Sequence, residues 1–247
     1  MLSNKHSAFF VVLAFMKTFL LLVLVLPLYV CFAQDNGQLQ VPKVIDSLYR
    51  EDQFYASLTY NAIANLNSGV TQSGFSTGFH LGFIRDMPMN TRRNLAIGLG
   101  VGISSNSYNQ NIIISEADEG YSYQFYGSDI DVSKNKFTTL LIDIPLEFRW
   151  RTSSPTVNRF WRVYPGFKLS YLVYNTTKTR SDVGRIDLSN VKDFNDFQYG
   201  ATLSVGYGNW NFHFYYALNP IFKDSAQLNN EALDISAMKI GVIFYLL

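Results

Sequence analysis

Leu95-Ala96-Ile97-Gly98-Leu99-Gly100-Val101-Gly102-Ile103-Ser104 is the stretch that decides the fold. A large aliphatic residue stands at every odd position, and Ala, Gly or Ser at every even one. A period of two is the period of side-chain direction along a β-strand, so the segment predicts a strand with one broad apolar face and one almost bare face. The same alternation recurs on both sides of it. Strands are expected near 53–62, 73–85, 94–104, 138–151, 160–175, 197–208, 210–218 and 233–247. The third either runs on through Tyr108 or resumes at 111–115. In the fourth, Leu140, Ile142, Ile144, Leu146, Phe148 and Trp150 alternate with Leu141, Asp143, Pro145, Glu147, Arg149 and Arg151. Pro145 and Pro165 each remove a ladder donor, which predicts a bulge or a local widening at each.

Eight antiparallel strands can close in two ways. A soluble barrel or sandwich turns its large apolar residues inward. A membrane barrel turns them outward and packs small and polar residues inside. The bore of an eight-stranded barrel has no room for eight faces of Leu, Phe, Trp and Tyr. The expected fold is therefore all-β, an eight-stranded antiparallel transmembrane β-barrel over 53–247. A secreted soluble β-sandwich or lipocalin-like barrel is the alternative. In the membrane reading, Asp143, Glu147, Arg149, Arg162, Lys168 and Lys239 form a charge network inside the tube, pairing across it because an unpaired buried charge is costly. The connections support the same reading. The links 86–93, 152–159 and Gly208-Asn209 are short, and three of the opposite links, 63–72, 105–137, 176–196 and 219–232, are longer. Short periplasmic turns and long outer loops are the asymmetry of outer-membrane barrels. Tyr60, Trp150, Trp161, Tyr171, Tyr207 and Trp210 fall near strand ends, where an aromatic girdle would sit.

Residues 1–33 stand apart. Lys5 and Lys17 accompany apolar runs at 9–15 and 19–30, and Cys31-Phe32-Ala33 places small residues at the −3 and −1 positions of a cut before Gln34. This is the pattern of a secretory signal peptide. The doubled apolar run leaves open whether translation starts at Met1 or Met16. A retained anchor or a lipidated Cys31 are the competing readings. Residues 34–52 read as a short periplasmic lead-in. Beyond Cys31 there is no cysteine, which excludes disulfides and thiolate metal sites. The chain carries 20 Lys+Arg against 19 Asp+Glu, a balance that gives no reason to expect a nucleic-acid partner. At 16% aromatic and 16% charged it is poor in charge for a soluble surface.

Residues that could carry chemistry are few. His80 and His213 lie on the small or polar strand faces, with no metal-ligand spacing, and read as packed lumenal residues. Asp143 and Glu147 are about 13 Å apart by strand rise, too far for a glycosidase carboxylate pair, and suit neutralising Arg149, Arg162, Lys168 or Lys239. Ser104 and Ser105 qualify as nucleophiles by position alone, with no histidine assigned beside them. Gly98-x-Gly100-x-Gly102 lacks the following helix of a phosphate loop and reads as lumenal packing. No catalytic residue, cofactor, metal or small-molecule substrate is expected. Arg85, Arg92, Arg93, Arg151 and Arg159 are expected at the periplasmic rim, facing lipid phosphates, an acidic partner or solvent. Tyr121, Tyr123, Phe125 and Tyr126 make the long loop after the third strand a candidate partner-contact surface, with a solvated loop as the plainer reading.

Three segments carry a family resemblance: Phe54–Asn61, Gly-Phe-His-Leu-Gly-Phe-Ile-Arg-Asp at 78–86, and Leu-Ile-Asp-Ile-Pro-Leu-Glu-Phe-Arg at 141–149. On these the chain resembles the PorT-like outer-membrane β-barrels of Bacteroidota. The resemblance implies a non-enzymatic part in type IX protein secretion or in assembly of its translocon. It also implies outer-membrane lipid and other secretion subunits as partners, including a larger barrel that serves as the pore. An adhesin-like or general structural barrel, binding through its outer loops, is the alternative.

Overall fold

The computed structural model describes residues 52–65, 69–72, 74–118, 120–125, 131–152, 160–182 and 184–246. The signal-peptide reading, all of the lead-in except Asp52, and the positions of Tyr126 and Arg159 lie outside the described residues.

Among the described residues thirteen strands follow in chain order: β1 (Gln53–Ala64), β2 (Thr77–Pro88), β3 (Leu95–Asn109), β4 (Ile112–Glu116), β5 (Tyr121–Phe125), β6 (Val132–Arg151), β7 (Trp161–Ser181), β8 (Gly184–Ser189), β9 (Phe197–Tyr207), β10 (Trp210–Ala217), β11 (Gln227–Leu228), β12 (Glu231–Ala232) and β13 (Ser236–Leu246). Eight of them close a barrel in the order β1-β2-β3-β6-β7-β9-β10-β13, with β13 returning to β1. All neighbours are antiparallel. Closure leaves the barrel without a free edge, which allows backbone groups to cross a membrane. The pair Phe54↔Leu246 puts the start of β1 and the end of β13 at one end of the tube, the near end. The Gly208 turn lies there too, with φ at +59°, a conformation that glycine adopts without strain.

The faces fall as the alternation predicts. On β6, Leu140, Ile142, Ile144, Leu146, Phe148 and Trp150 are 39–46% exposed, while Leu141, Asp143, Glu147, Arg149 and Arg151 are at most 5% exposed. From Leu140 to Trp150 the strand rises about 34 Å, or about 24 Å in height at a 45° tilt. That matches the apolar band of a barrel crossing a bilayer. Tyr60, Trp150, Trp161, Tyr171, Tyr207 and Trp210 all point outward. Trp161 packs on Tyr207 at 5.5 Å and Trp210 on Phe244 at 5.1 Å between ring centres, forming part of a girdle at the near end.

The prolines interrupt the ladders without a bulge. Pro145 and Pro165 keep register with Lys168 and Leu203. Yet the β3–β6 ladder lapses between Leu99↔Leu146 and Gly102↔Asp143, beside Pro145. The β6–β7 ladder lapses between Glu147↔Gly166 and Trp150↔Val163, beside Pro165. A missing N–H on one strand costs the pairing locally without shifting it. The first irregularity that does shift register lies farther along, where Leu140 pairs with Tyr174 and Leu141 with Leu172, and a second follows between Lys134 and Val132. Beyond the first, β6 and β7 continue past the expected strand limits, and β8 adds itself to β7 there.

Candidate functional site

The six residues expected as the lumenal network are all buried. Near the tube's near end, Arg149 donates to Glu147 from Nε at 3.0 Å and to Asp86 Oδ1 from Nη1 at 3.1 Å. Its guanidinium lies 5.0 Å from the ring centre of Tyr164 and 5.7 Å from that of Tyr245. The Tyr245 hydroxyl donates to Glu147 at 3.2 Å. Arg162 packs over the Phe160 ring and donates to the Gly208 carbonyl. Halfway along, Asp143 accepts from Ser170 at 2.6 Å and stands 3.3 Å from Lys168 Nζ. Lys168 and Lys239 both sit 4.8 Å from the centre of the Tyr215 ring, a face that attracts cations. Glycines make room for this filling. A Cβ at Gly98 would come within 2.7 Å of Arg149 Nε, and one at Gly82 within 2.5 Å of the Tyr55 ring.

Asp86 is the residue that sequence reasoning missed. The sequence pattern makes it the first residue of a turn, but β2 runs on to Pro88 and turns Asp86 inward. It takes a bidentate pair from Arg151, at 2.8 and 2.7 Å, besides the bond from Arg149. Arg151 therefore does not belong to the rim. It is fully buried, and its Nε donates to the Arg93 carbonyl. Arg85 and Arg92 are exposed at the near end and Arg93 is half-buried there. The missed signal was parity: Asp86 shares a face with His80, Gly82 and Ile84.

The histidines have neighbours of their own. His80 lies opposite Ser104 across the β2–β3 ladder, contrary to the expectation that no histidine stands beside that serine. Its Nε2 meets the Thr59 hydroxyl at 3.1 Å, its Nδ1 is 3.9 Å from Asp143, and Ser104 accepts from Asn106. His213 bonds Ser204 at 2.9 Å. Both rings are buried in the tube. No group of three or more metal-ligating side chains occurs among the described residues. An internal cavity of about 20 Å³ among Tyr55, Ser57, His80, Glu147, Lys168 and His213 has room for one water.

The far end corrects the expectation that small and charged residues fill the whole tube. The outer connections fold back over the mouth and bury an apolar cluster against it. Phe137 and Tyr108 from the barrel strands stack at 4.9 Å, and Phe194 and Phe222 from the connections each meet Phe137 at 5.5 Å. Val191, Ile221, Leu228, Leu233 and Ile235 complete this lid. The β4–β5 hairpin belongs to it. Tyr123, expected at a contact surface, is buried and donates to Asp193 at 2.9 Å, while Tyr121 and Phe125 are half-buried against the cluster. Burial, together with the Asp193 carboxylate, pushes the Tyr123 hydroxyl well above the usual tyrosine range.

No curated protein sequence matches the chain. Among solved structures, it is similar to Ail, the attachment invasion locus protein of Yersinia pestis, with 11% identity and a TM-score of 0.36 over 81% of this chain and 100% of that one. The family model described as outer membrane protein beta-barrel domain matches residues 32–223. That match takes in seven of the eight barrel strands, β1 through β10, and so the chain belongs to the outer membrane protein beta-barrel domain family.

Proposed function

We propose that this outer-membrane barrel is a non-enzymatic accessory of type IX protein secretion, acting on export or on assembly of the translocon by contact with other subunits. The observation that carries the contact mechanism is the filled tube. Ion pairs occupy its near half, aromatic rings close its far half, and the cavity between them has room for about one water. A barrel of this bore passes no polypeptide, so the pore belongs to a larger partner barrel.

The resemblance to the PorT-like barrels, and within them to PorT itself, supplies the secretion context. Two of the three segments that carry it also carry His80, Asp86, Asp143, Glu147 and Arg149, which fill the tube together. The adhesin-like alternative draws on exposed loop aromatics, and the inward turn of Tyr123 weighs against it. Export before barrel insertion requires the signal peptide read in residues 1–33.

A deletion strain tests the proposal. Loss of secreted type IX cargo, with outer-membrane integrity intact and restored by the wild-type chain, is the expected result. Cross-linking of the tagged barrel should also recover a larger barrel protein. Normal cargo secretion in the deletion strain would end the proposal, and lost surface attachment with normal secretion would select the adhesin-like reading.

A further inference from the structure

Above the outward apolar band, at the far end, β6, β7 and β8 form a sheet whose outer face is crowded with cations. Residues paired across antiparallel strands point to the same side. Lys134 pairs with Arg180, and Arg180 with Arg185. One row lower, Lys136 pairs with Lys178, and Lys178 with Asp187. Five cations and one carboxylate thus occupy two adjacent rows. Arg185 is held by Asp187, which leaves Lys134, Lys136, Lys178 and Arg180 as the excess. The acidic residues Asp131 and Asp182 lie beyond them, at the tip, joined by a backbone bond.

Like charges placed directly opposite each other destabilise a sheet. Lys136 has the Lys134 charge two residues along its strand and the Lys178 charge directly opposite. An arrangement with that cost indicates an anion outside the chain. Its height indicates which one. On β6 the outward series descends from Lys134 and Lys136 through Thr138 to Leu140, the first residue of the apolar band. Lys136 is about 13 Å along the strand from Leu140, at the depth of lipid headgroups. Tyr174, exposed just below the rows and bonded to Ser189 at 3.1 Å, suits the same interface. Beside Lys134 a groove of about 440 Å³ runs between Val132–Asn135 and the Gly74–Phe75 segment, and Phe75 is 74% exposed within it.

We propose that the outer face of β6–β7–β8 binds the phosphorylated headgroup of an outer-leaflet glycolipid. Lys134, Lys136, Lys178 and Arg180 engage the phosphates, and the groove at Phe75 receives the adjoining sugar or the root of an acyl chain. Ammonium and guanidinium groups are the side chains suited to phosphate. The site is independent of any part in secretion.

The test uses the full mature chain refolded in detergent micelles, with bound lipid counted by native mass spectrometry. The probe is a bisphosphorylated glycolipid, set against the same lipid stripped of phosphate. Wild type should prefer the phosphorylated form at least tenfold. The triple variant K134S/K136S/K178S should lose that preference, while R85S/R92S/K192S, which removes equal charge elsewhere, should keep it. Heat-dependent gel mobility verifies that both variants fold. Equal binding of the two lipids by wild type, or an unchanged preference in the first variant, would overturn the assignment. Displacement of the lipid by inorganic phosphate at equal concentration would overturn it as well, because the site would then recognise free anion.

Discussion

The two halves of the tube are filled by opposite chemistries. At the near end, Asp86 and Glu147 answer the guanidiniums of Arg149 and Arg151, and every one of these groups is essentially buried. At the far end, the rings of Phe137, Tyr108, Phe194 and Phe222 pack on one another, and buried amides such as Asn135 and Asn175 satisfy the backbone around them. The difference follows from what reaches each end. The near links are short and leave the strands to fill their own bore, where long polar side chains span the gap between small ones. The far connections are long enough to fold back, so they bring apolar residues that the strands alone lack. One half is specified by charge pairing across the lumen, and the other by burial of apolar area.

Asp86→Ala is the strongest way to break the near half. It strips the bidentate carboxylate from Arg151 and one carboxylate contact from Arg149 in a water-poor space. Removing one partner of a buried pair costs about 3–5 kcal/mol, and this change falls at the upper end because two guanidiniums are affected. The urea midpoint of the barrel in lipid vesicles should fall accordingly. A loss under about 1 kcal/mol would mean that water or Glu147 replaces Asp86, and that the ion pairs do not specify this half.

Phe137→Ala is the matching change in the far half. Phe137 is fully buried and touches three other rings. Truncation should cost about 3 kcal/mol. It should show first as faster protease cleavage of the far-end connections, with the folded barrel's gel mobility unchanged. Equal protection of wild type and variant would show that the lid is held by something other than this cluster.

Tyr123→Phe sharpens the far half further. It removes one hydroxyl donated to Asp193 and should cost about 1 kcal/mol near neutral pH. The pH dependence has a definite sign. The folded state holds the Tyr123 proton above the unfolded value of about 10, so its contribution is complete below pH 10. It declines as pH rises further, because only the unfolded chain then gives up the proton. The gap in urea midpoint between wild type and variant should therefore shrink between pH 9.5 and about 11.5. A gap that is flat over that range would place the Tyr123 hydroxyl in solvent.

The contrast between the halves also explains what the sequence made legible. The alternation through Leu95–Ser104 and Leu140–Arg151 sets strand, face and membrane band at once, because period and polarity coincide there. The lumenal set Asp143, Glu147, Arg149 and Lys168 is readable for the same reason. Asp86 was not, because a charged residue beside Arg85 and before Pro88 looks like a turn, and only strand parity marks it as inward. The lid was hidden more deeply. Val191, Phe194, Ile221 and Phe222 lie in segments without a period, where nothing local tells a buried aromatic from an exposed one. Tyr123 shows the consequence, since a hairpin rich in aromatics looks the same in sequence whether it faces a partner or the barrel's own mouth. The cation rows at Lys134 and Lys136 are not legible because the alternation starts β6 at 138, and pairing across β7 is what sets these charges side by side.

The smallest expected effect is the coupling between the two halves. Arg149, which Asp86 binds, lies twelve residues from Phe137 on the same strand, about 40 Å by strand rise. Substitutions this far apart, with no shared partner, add to within about 0.5 kcal/mol. The double variant Asp86→Ala/Phe137→Ala should therefore lose the sum of the single losses. Asp86→Ala/Glu147→Ala supplies the contrast, because both carboxylates bind the Arg149 guanidinium and their losses should depart from additivity by about 0.5–3 kcal/mol. A comparable departure for the distant pair would join the two fillings through the β6 ladder. The charged half and the apolar half would then fold as one interdependent core, and loosening the lid would loosen the ion pairs with it.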